Sequence, residues 1–129
     1  MLEVHVLASG SDGNCIVVQL DDEAVMIDAG LSYKYTHKLM ELEGIDESTI
    51  KALLITHEHN DHVAGAGVMA RKLKIPLYCN QNTFMAFNAG KVDWREIRMM
   101  GSFDLCGMNV TPLPTFHDAV EPCAFMLKA

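Results

Sequence analysis

The sequence predicts an α/β fold with a mixed sheet and flanking helices. Paired strand-type segments open the chain at residues 2–8, 15–20 and 24–29, and a strand–helix–strand succession runs through residues 50–80. Further strand-type segments return at 103–115 and 123–128. Hairpins, then a crossover, then hairpins again call for antiparallel and parallel pairing in one molecule.

Each element follows from its residues. "LEVHVLA" alternates and places Leu2, Val4 and Val6 on one face of a strand, which enters "SGSDGN", a loop of turn formers. "CIVVQL" and "AVMIDA" flank the acidic turn "DDE" as a hairpin. "SYKYTHKLMELEG" predicts a helix with Ser32 as N-cap, Tyr35, Leu39 and Leu42 at helical spacing, and Gly44 as its end. "IKALLIT" at 50–56 predicts a buried strand. "VAGAGVMARKLK" at 63–74 predicts a helix stopped by Pro76, with Val63, Gly67, Ala70 and Lys74 along one line. Its two glycines disfavour helix, so a close packing contact is expected to compensate. "PLYCN" predicts a short strand and "NTFMAFNAG" a short helix, capped by Asn82 and closed by Gly90. "FDLCGMNVTPLPT" predicts a hairpin turning near Cys106–Gly107, and "CAFMLK" a last strand. No repeat, linker or low-complexity segment divides the chain, so residues 1–129 are expected to form one unit.

Composition narrows the function. The chain has 129 residues, half of them apolar, which is enough for a modest core. Apolar runs such as "IVV" and "ALLI" are far too short to cross a bilayer, so no membrane association is expected. "MLEVHVLASG" has no basic segment followed by an apolar one, so export is not expected and the cytoplasm is. Cys15, Cys79, Cys106 and Cys123 are scattered without a C-x-x-C pair and are expected to be buried free thiols. The net charge is −7, and "RKLK" at 71–74 is the basic cluster. That argues against a passive nucleic-acid module, which needs a basic face, and less against an enzyme whose bound cations supply positive charge.

The chemistry concentrates in "LLITHEHNDHVAGAG" at 53–67, where His57, Glu58, His59, Asp61 and His62 fall within six positions. The helical zinc-protease pattern H-E-x-x-H fails, because residue 61 is Asp. The pattern H-x-H-x-D-H at a strand end fits. On extended backbone, residues two apart point the same way, so His57 and His59 can grip one ion. Asp61 and His62 come next, where the chain turns into a helix, and can face a second. Imidazoles and a carboxylate are suitable zinc ligands.

With H-x-H-x-D-H the sequence resembles the metallo-β-lactamase superfold, and "ASGSDGNC" (8–15), "MIDAGLS" (26–32) and "PLPTFHDAVEP" (112–122) bring it nearest to the YycJ/WalJ-like branch. The resemblance implies the first half of an αββα sandwich, so that residues 1–129 are the N-terminal part of one domain. It implies a divalent metal, expected to be zinc with manganese or iron as alternatives. A complete site would hold two ions, with His57, His59 and His117 on the first and Asp61 and His62 on the second. Asp28 would brace the metal loop, since ligand histidines need a partner for the other ring nitrogen. The resemblance also implies a bridging Asp and a final His, for which this sequence has no matching position. At most one ion is therefore expected here, and a truncated or partial chain is favoured over a complete small domain.

The implied activity is hydrolysis by a metal-activated hydroxide, with Asp61 as the catalytic residue that orients it and takes its proton. The implied substrate is a nucleic-acid phosphodiester cut in exonuclease fashion. Hydrolysis of a small ester, thioester or cyclic phosphodiester is the alternative, and an inactive metal-binding fragment the reading from another class. His5 and His37 are expected to be ordinary structural or surface residues. Ser9, Ser11, Asp12 and Asn14 either line the mouth of the site or serve the turn. The half-fold surface is expected to drive self-association.

Overall fold

Two sheets and a helical layer share the apolar residues of the chain in a computed structural model that describes residues 1–116 and 118–129. The strands are β1 (Leu2–Ala8), β2 (Cys15–Leu20), β3 (Glu23–Ile27), β4 (Ile50–Leu54), β5 (Leu77–Cys79), β6 (Trp94–Glu96), β7 (Phe103–Leu105), β8 (Met108–Pro114) and β9 (Cys123–Lys128). The helices are α1 (Tyr33–Glu43), α2 (Asn60–Val63), α3 (Ala66–Leu73) and α4 (Gln81–Met85), with a short 3₁₀ turn at Glu47–Thr49.

Strands β1 to β6 lie side by side in chain order, antiparallel from β1 to β3 and parallel from β3 to β6. Strands β7, β8 and β9 form a separate antiparallel sheet. This is the mixed architecture expected from the sequence.

The central strands are apolar on both faces because both are covered. Val17, Ala24, Met26, Leu53 and Ile55 pack with Met40, Ala66 and Met69 of the helical layer. The alternate residues Val18, Val25, Ala52 and Leu54 pack against Met108 and Val110 of the small sheet. β1 departs from this. Leu2, Val4 and Val6 share one face as predicted and pair with Leu20, Val18 and Ile16. They are nevertheless 44%, 61% and 55% exposed, so the small sheet does not cover them.

α1 has the expected caps: Ser32 Oγ accepts the Tyr35 N–H, and Gly44 ends the helix in left-handed conformation. Its inward residues are Thr36 and Met40, however, while Tyr35 and Leu42 are exposed. Thr36 satisfies its hydroxyl on Ser32 O at 2.8 Å, which lets a polar residue take a core position.

The helix expected at 63–74 is two helices, α2 starting earlier at Asn60 and α3 beginning after a break at Ala64–Gly65. The expected close contacts at its glycines are present. A Cβ on Gly65 would overlap the Leu31 carbonyl, and one on Gly67 the Ala89 carbonyl. The next helix is capped by Asn80, whose side chain accepts the Thr83 N–H at 2.8 Å, rather than by Asn82, and it ends at Met85, well before Gly90. β6 carries Trp94, Arg95 and Glu96, too polar and too short to read as a strand.

Cys15, Cys79 and Cys123 are buried free thiols as expected, and burial pushes each up to about 12. Cys106, at the β7–β8 turn, is only half-buried. His5 pairs with Glu3 and Glu43, and His37 with Glu41 and Glu47, which are the ordinary structural roles expected of them. Among the described residues, no helix is long and apolar enough to cross a membrane.

Candidate metal centre

The H-x-H-x-D-H segment leaves the C-terminal end of β4, between the ends of its parallel neighbours β3 and β5. In open α/β sheets, ligands bind in the crevice outside the carboxyl ends of the strands. Ile55 continues the ladder, its N–H donating to Tyr78 O at 2.9 Å, and the chain then turns away at Thr56.

Asp28, at the end of β3, organises the metal loop. It is 4% exposed, and its backbone is left-handed with φ of 63°. That conformation is uncommon outside glycine but accessible to Asp. Its Oδ1 accepts the Thr56 N–H at 2.8 Å, and its Oδ2 accepts the Thr56 hydroxyl at 2.7 Å. Oδ2 also takes the His62 Nδ1–H at 2.6 Å.

These bonds fix two tautomers. An ionised carboxylate only accepts, so the Thr56 hydroxyl hydrogen belongs to Asp28. The His57 Nδ1, 2.8 Å from Thr56 Oγ1, must then be the donor in that pair. Both His57 and His62 thus carry a proton on Nδ1 and leave Nε2 as the nitrogen with a lone pair to offer. This is the arrangement that orients imidazoles for a metal. Burial pushes the His62 ring down, but its hydrogen bond to Asp28 and the charges of Asp28 and Asp61 outweigh this and raise it above the ordinary value.

The side chains gather closely. The ring centroids of His57 and His62 are 3.9 Å apart, and those of His57 and His59 4.9 Å. Asp61 Oδ2 lies 3.7 Å from His62 Nε2. Among the described residues, no three His, Cys, Asp or Glu side chains converge closely enough to hold an ion. His117, expected as the third nitrogen ligand of the first ion, lies outside the described residues. The donor chemistry that is visible, two imidazoles each bonded through Nδ1 with Nε2 left to donate, beside a carboxylate, fits a divalent cation.

Asp61 is held by Asn14. The Asn14 N–H donates to Asp61 O at 2.7 Å, and Asn14 Nδ2 reaches Asp61 Oδ2 at 3.1 Å. The same amide group bonds Gly10 N and O across the "SGSDGN" loop. Asn14 therefore serves both the turn and the site. A Cβ on Gly30 would overlap the Asp61 carbonyl, so only glycine lets this loop pass. Further main-chain bonds join Ala29 N to His62 O and Gly65 N to Ala29 O, each at 2.8 Å.

A cavity of about 550 Å³ opens over the centre, lined by Ser9, Asn14, Asp28, Thr56, His57 and His62 among others. Ser11 and Asp12 face a neighbouring recess with His59 and Asp61. Sequence reasoning missed Thr56 and undervalued Asn14. The signal for Thr56 was its place directly before His57, where a hydroxyl can reach the inner nitrogen of the ring.

A model of the metallo-β-lactamase superfamily matches residues 8–122. The exodeoxyribonuclease YycJ of Bacillus anthracis is 38% identical over 126 residues, covering 94% of this chain and 48% of the relative. The exodeoxyribonuclease WalJ of Streptococcus pneumoniae is 38% identical over 124 residues, covering 91% of this chain and 46% of the relative. Among solved structures, MEM-A1, a subclass B3 metallo-β-lactamase from a soil metagenome library, superposes with a TM-score of 0.80 at 15% identity, covering 98% of this chain and 55% of the other. This last likeness is one of fold. The chain spans about half the length of the curated relatives it matches.

Proposed function

Because this chain belongs to the metallo-β-lactamase superfamily, we propose that it carries the metal-ligating part of a nuclease that cleaves nucleic-acid phosphodiesters in exonuclease fashion. The observation that carries this reading is the convergence of Thr56 and His62 on Asp28, which engages the inner nitrogens of His57 and His62 and leaves their outer nitrogens available to a cation. The similarity to two exodeoxyribonucleases supports the substrate class.

His57, His59 and His117 are assigned to a first ion and Asp61 and His62 to a second, with zinc favoured by the nitrogen-rich set. When bound, a divalent cation would supply Lewis acidity that acidifies water and offsets charge developing on the phosphoryl oxygens. The chain's own residues do the rest. Asp61, braced by Asn14, orients the attacking water and receives its proton at the carboxylate. Thr56 and Asp28 keep both imidazoles in their ligating tautomers throughout. Asp61 and His62 alone hold a cation weakly, so we expect at most one tightly held ion per chain.

Free buried thiols suit a reducing cytoplasm. The uncovered apolar row Leu2, Val4 and Val6 on the edge strand β1 favours pairing of this chain with a second copy.

The test is an end-labelled single strand of DNA incubated with the full-length protein and zinc or manganese. Stepwise shortening from one end, lost in His59→Ala and Asp61→Ala, is the expected result. Turnover confined to a panel of thioesters and esters would overturn the substrate class. DNA shortening indifferent to both substitutions would overturn the site.

A further inference from the structure

Glu58 stands between two candidate ligands without being one. Along extended backbone, successive side chains point to opposite sides. The rings of His57 and His59 meet at 4.9 Å between centroids, while the side chain of Glu58 between them goes elsewhere. The Glu58 carboxylate reaches the connection between β8 and β9, 62 positions on, where Oε2 accepts the Val120 N–H at 2.9 Å. Its Oε1 is shut off from solvent and has no hydrogen-bond partner among the described residues. A glutamate turned outward would hydrate both oxygens, so this pose carries a desolvation cost. The bond to Val120 is what that cost secures.

The same connection is fastened on its other side. Asn80 Nδ2 donates to Glu121 O at 2.9 Å, and Asn82 Nδ2 to Glu121 Oε1 at 3.0 Å. Cys123 N–H donates to Thr56 O at 2.9 Å. The asparagines belong to the corner between β5 and α4, whereas Glu58 belongs to the metal loop. Its bond therefore couples the loop and the connection directly.

We propose that Glu58 is a positioning residue whose carboxylate latches the β8–β9 connection to the strand end bearing His57 and His59, and so sets metal affinity without touching the metal. The inference rests on the proposed metal centre, in which that connection also contains His117. Ligands from segments far apart in sequence bind tightly only at a fixed separation. Partners that orient ligands from outside typically govern affinity by about 10–100-fold.

The test compares Glu58→Ala, Glu58→Asp and Glu58→Gln with the unsubstituted chain by two readouts. Hydrogen exchange at the Val120 amide, monitored by NMR without metal, reports the latch. Zinc affinity, measured by competition with a chromophoric chelator, reports its consequence. Glu58→Ala is expected to speed Val120 exchange and weaken zinc binding, each by roughly tenfold, with far-UV circular dichroism unchanged. Glu58→Asp keeps the charge but shortens the reach, and should behave like Ala. Glu58→Gln offers a carbonyl to the same N–H and should restore most of both. Val120 exchange that does not respond to Glu58→Ala or Glu58→Asp overturns the latch. Faster exchange with unchanged zinc affinity overturns its role at the metal. Failure of the metal centre itself looks different: zinc binding is then absent, or indifferent to His57→Ala and His59→Ala, while Val120 exchange still answers to Glu58.

Discussion

Asp28 and Thr56, beyond the ends of neighbouring parallel strands, are joined by two hydrogen bonds, Thr56 N–H to Oδ1 at 2.8 Å and the Thr56 hydroxyl to Oδ2 at 2.7 Å. The pair turns the chain out of the sheet and sets the imidazole tautomers in one stroke. A single buried carboxylate thus governs both the path of the H-x-H-x-D-H loop and the tautomers of His57 and His62.

Asp28→Asn should expose this dependence. An amide offers one accepting oxygen where three donors converge, and its NH₂ faces one of them. Loss of stability by about 1–3 kcal/mol is expected, read by urea denaturation without metal. Zinc affinity should fall as well. A variant within a few tenths of a kcal/mol of the parent would mean the network is not maintained in solution.

Gly30→Ala tests the crossing of the turn loop and the metal loop. Its Cβ would overlap the Asp61 carbonyl, which the Asn14 N–H holds in place at 2.7 Å. Backbone on both sides must shift, at a cost of about 1–3 kcal/mol. Guanidinium denaturation gives the number, and an unperturbed midpoint would refute the close approach.

Thiol chemistry offers an independent check on the core. Cys106 is half-buried, while Cys15, Cys79 and Cys123 are buried and pushed up to about 12. A thiol-specific reagent at neutral pH should label Cys106 readily and the others only after unfolding. Rapid labelling of Cys79 or Cys123 in the native state would contradict the burial of these side chains.

His37 should make stability depend on pH. Its hydrogen bond to Glu47 comes first among the causes that raise it, with the charges of Glu47 and Glu41 adding, against some loss from burial. Tyr33, whose hydroxyl also donates to Glu47, shares the cluster. A raised folded-state value means the contribution is full below the unfolded value near 6.5 and is lost as pH rises through the folded one. The melting-temperature gap between the parent and His37→Gln should therefore be wider at pH 6 than at pH 9. A gap that widens with rising pH would reverse the sign.

Self-association can be read directly. Light scattering at high concentration should give a mass above the 14.3 kDa of one chain, and Val4→Lys on the exposed face of β1 should return it toward that value. A monomer at all concentrations would show that the row Leu2, Val4 and Val6 tolerates water.

Legibility tracked the range of the forces involved. The hairpin at 15–27 and the caps of α1 were readable because local turn chemistry and period-two patterning decide them. The cluster of His57, His59, Asp61 and His62 was readable because the sequence sets these side chains in one short segment. The inward face of α1 was misread, since Thr36 is polar by composition and apolar only in effect, once Ser32 O takes its hydroxyl. β6 was missed because Trp94–Glu96 pairs by tertiary context rather than pattern. Thr56 and Glu58 escaped for a shared reason: their partners Asp28 and Val120 are 28 and 62 positions away.

The metal loop is gripped largely by peptide groups: Asn14 N on Asp61 O, Ala29 N on His62 O, Gly65 N on Ala29 O. A peptide donor survives nearly every substitution at its own residue, so this grip carries little information about side-chain identity. A saturation scan across 9–14 and 28–31 should accordingly give a sparse map, intolerant at Asn14, Asp28 and Gly30 and permissive at Ser9, Ser11 and Asp12. Ser9 lines the cavity over the centre, and Ser11 and Asp12 face the recess beside it. Substitutions at these positions should alter what the cleft admits while the cradle beneath it stays as it is.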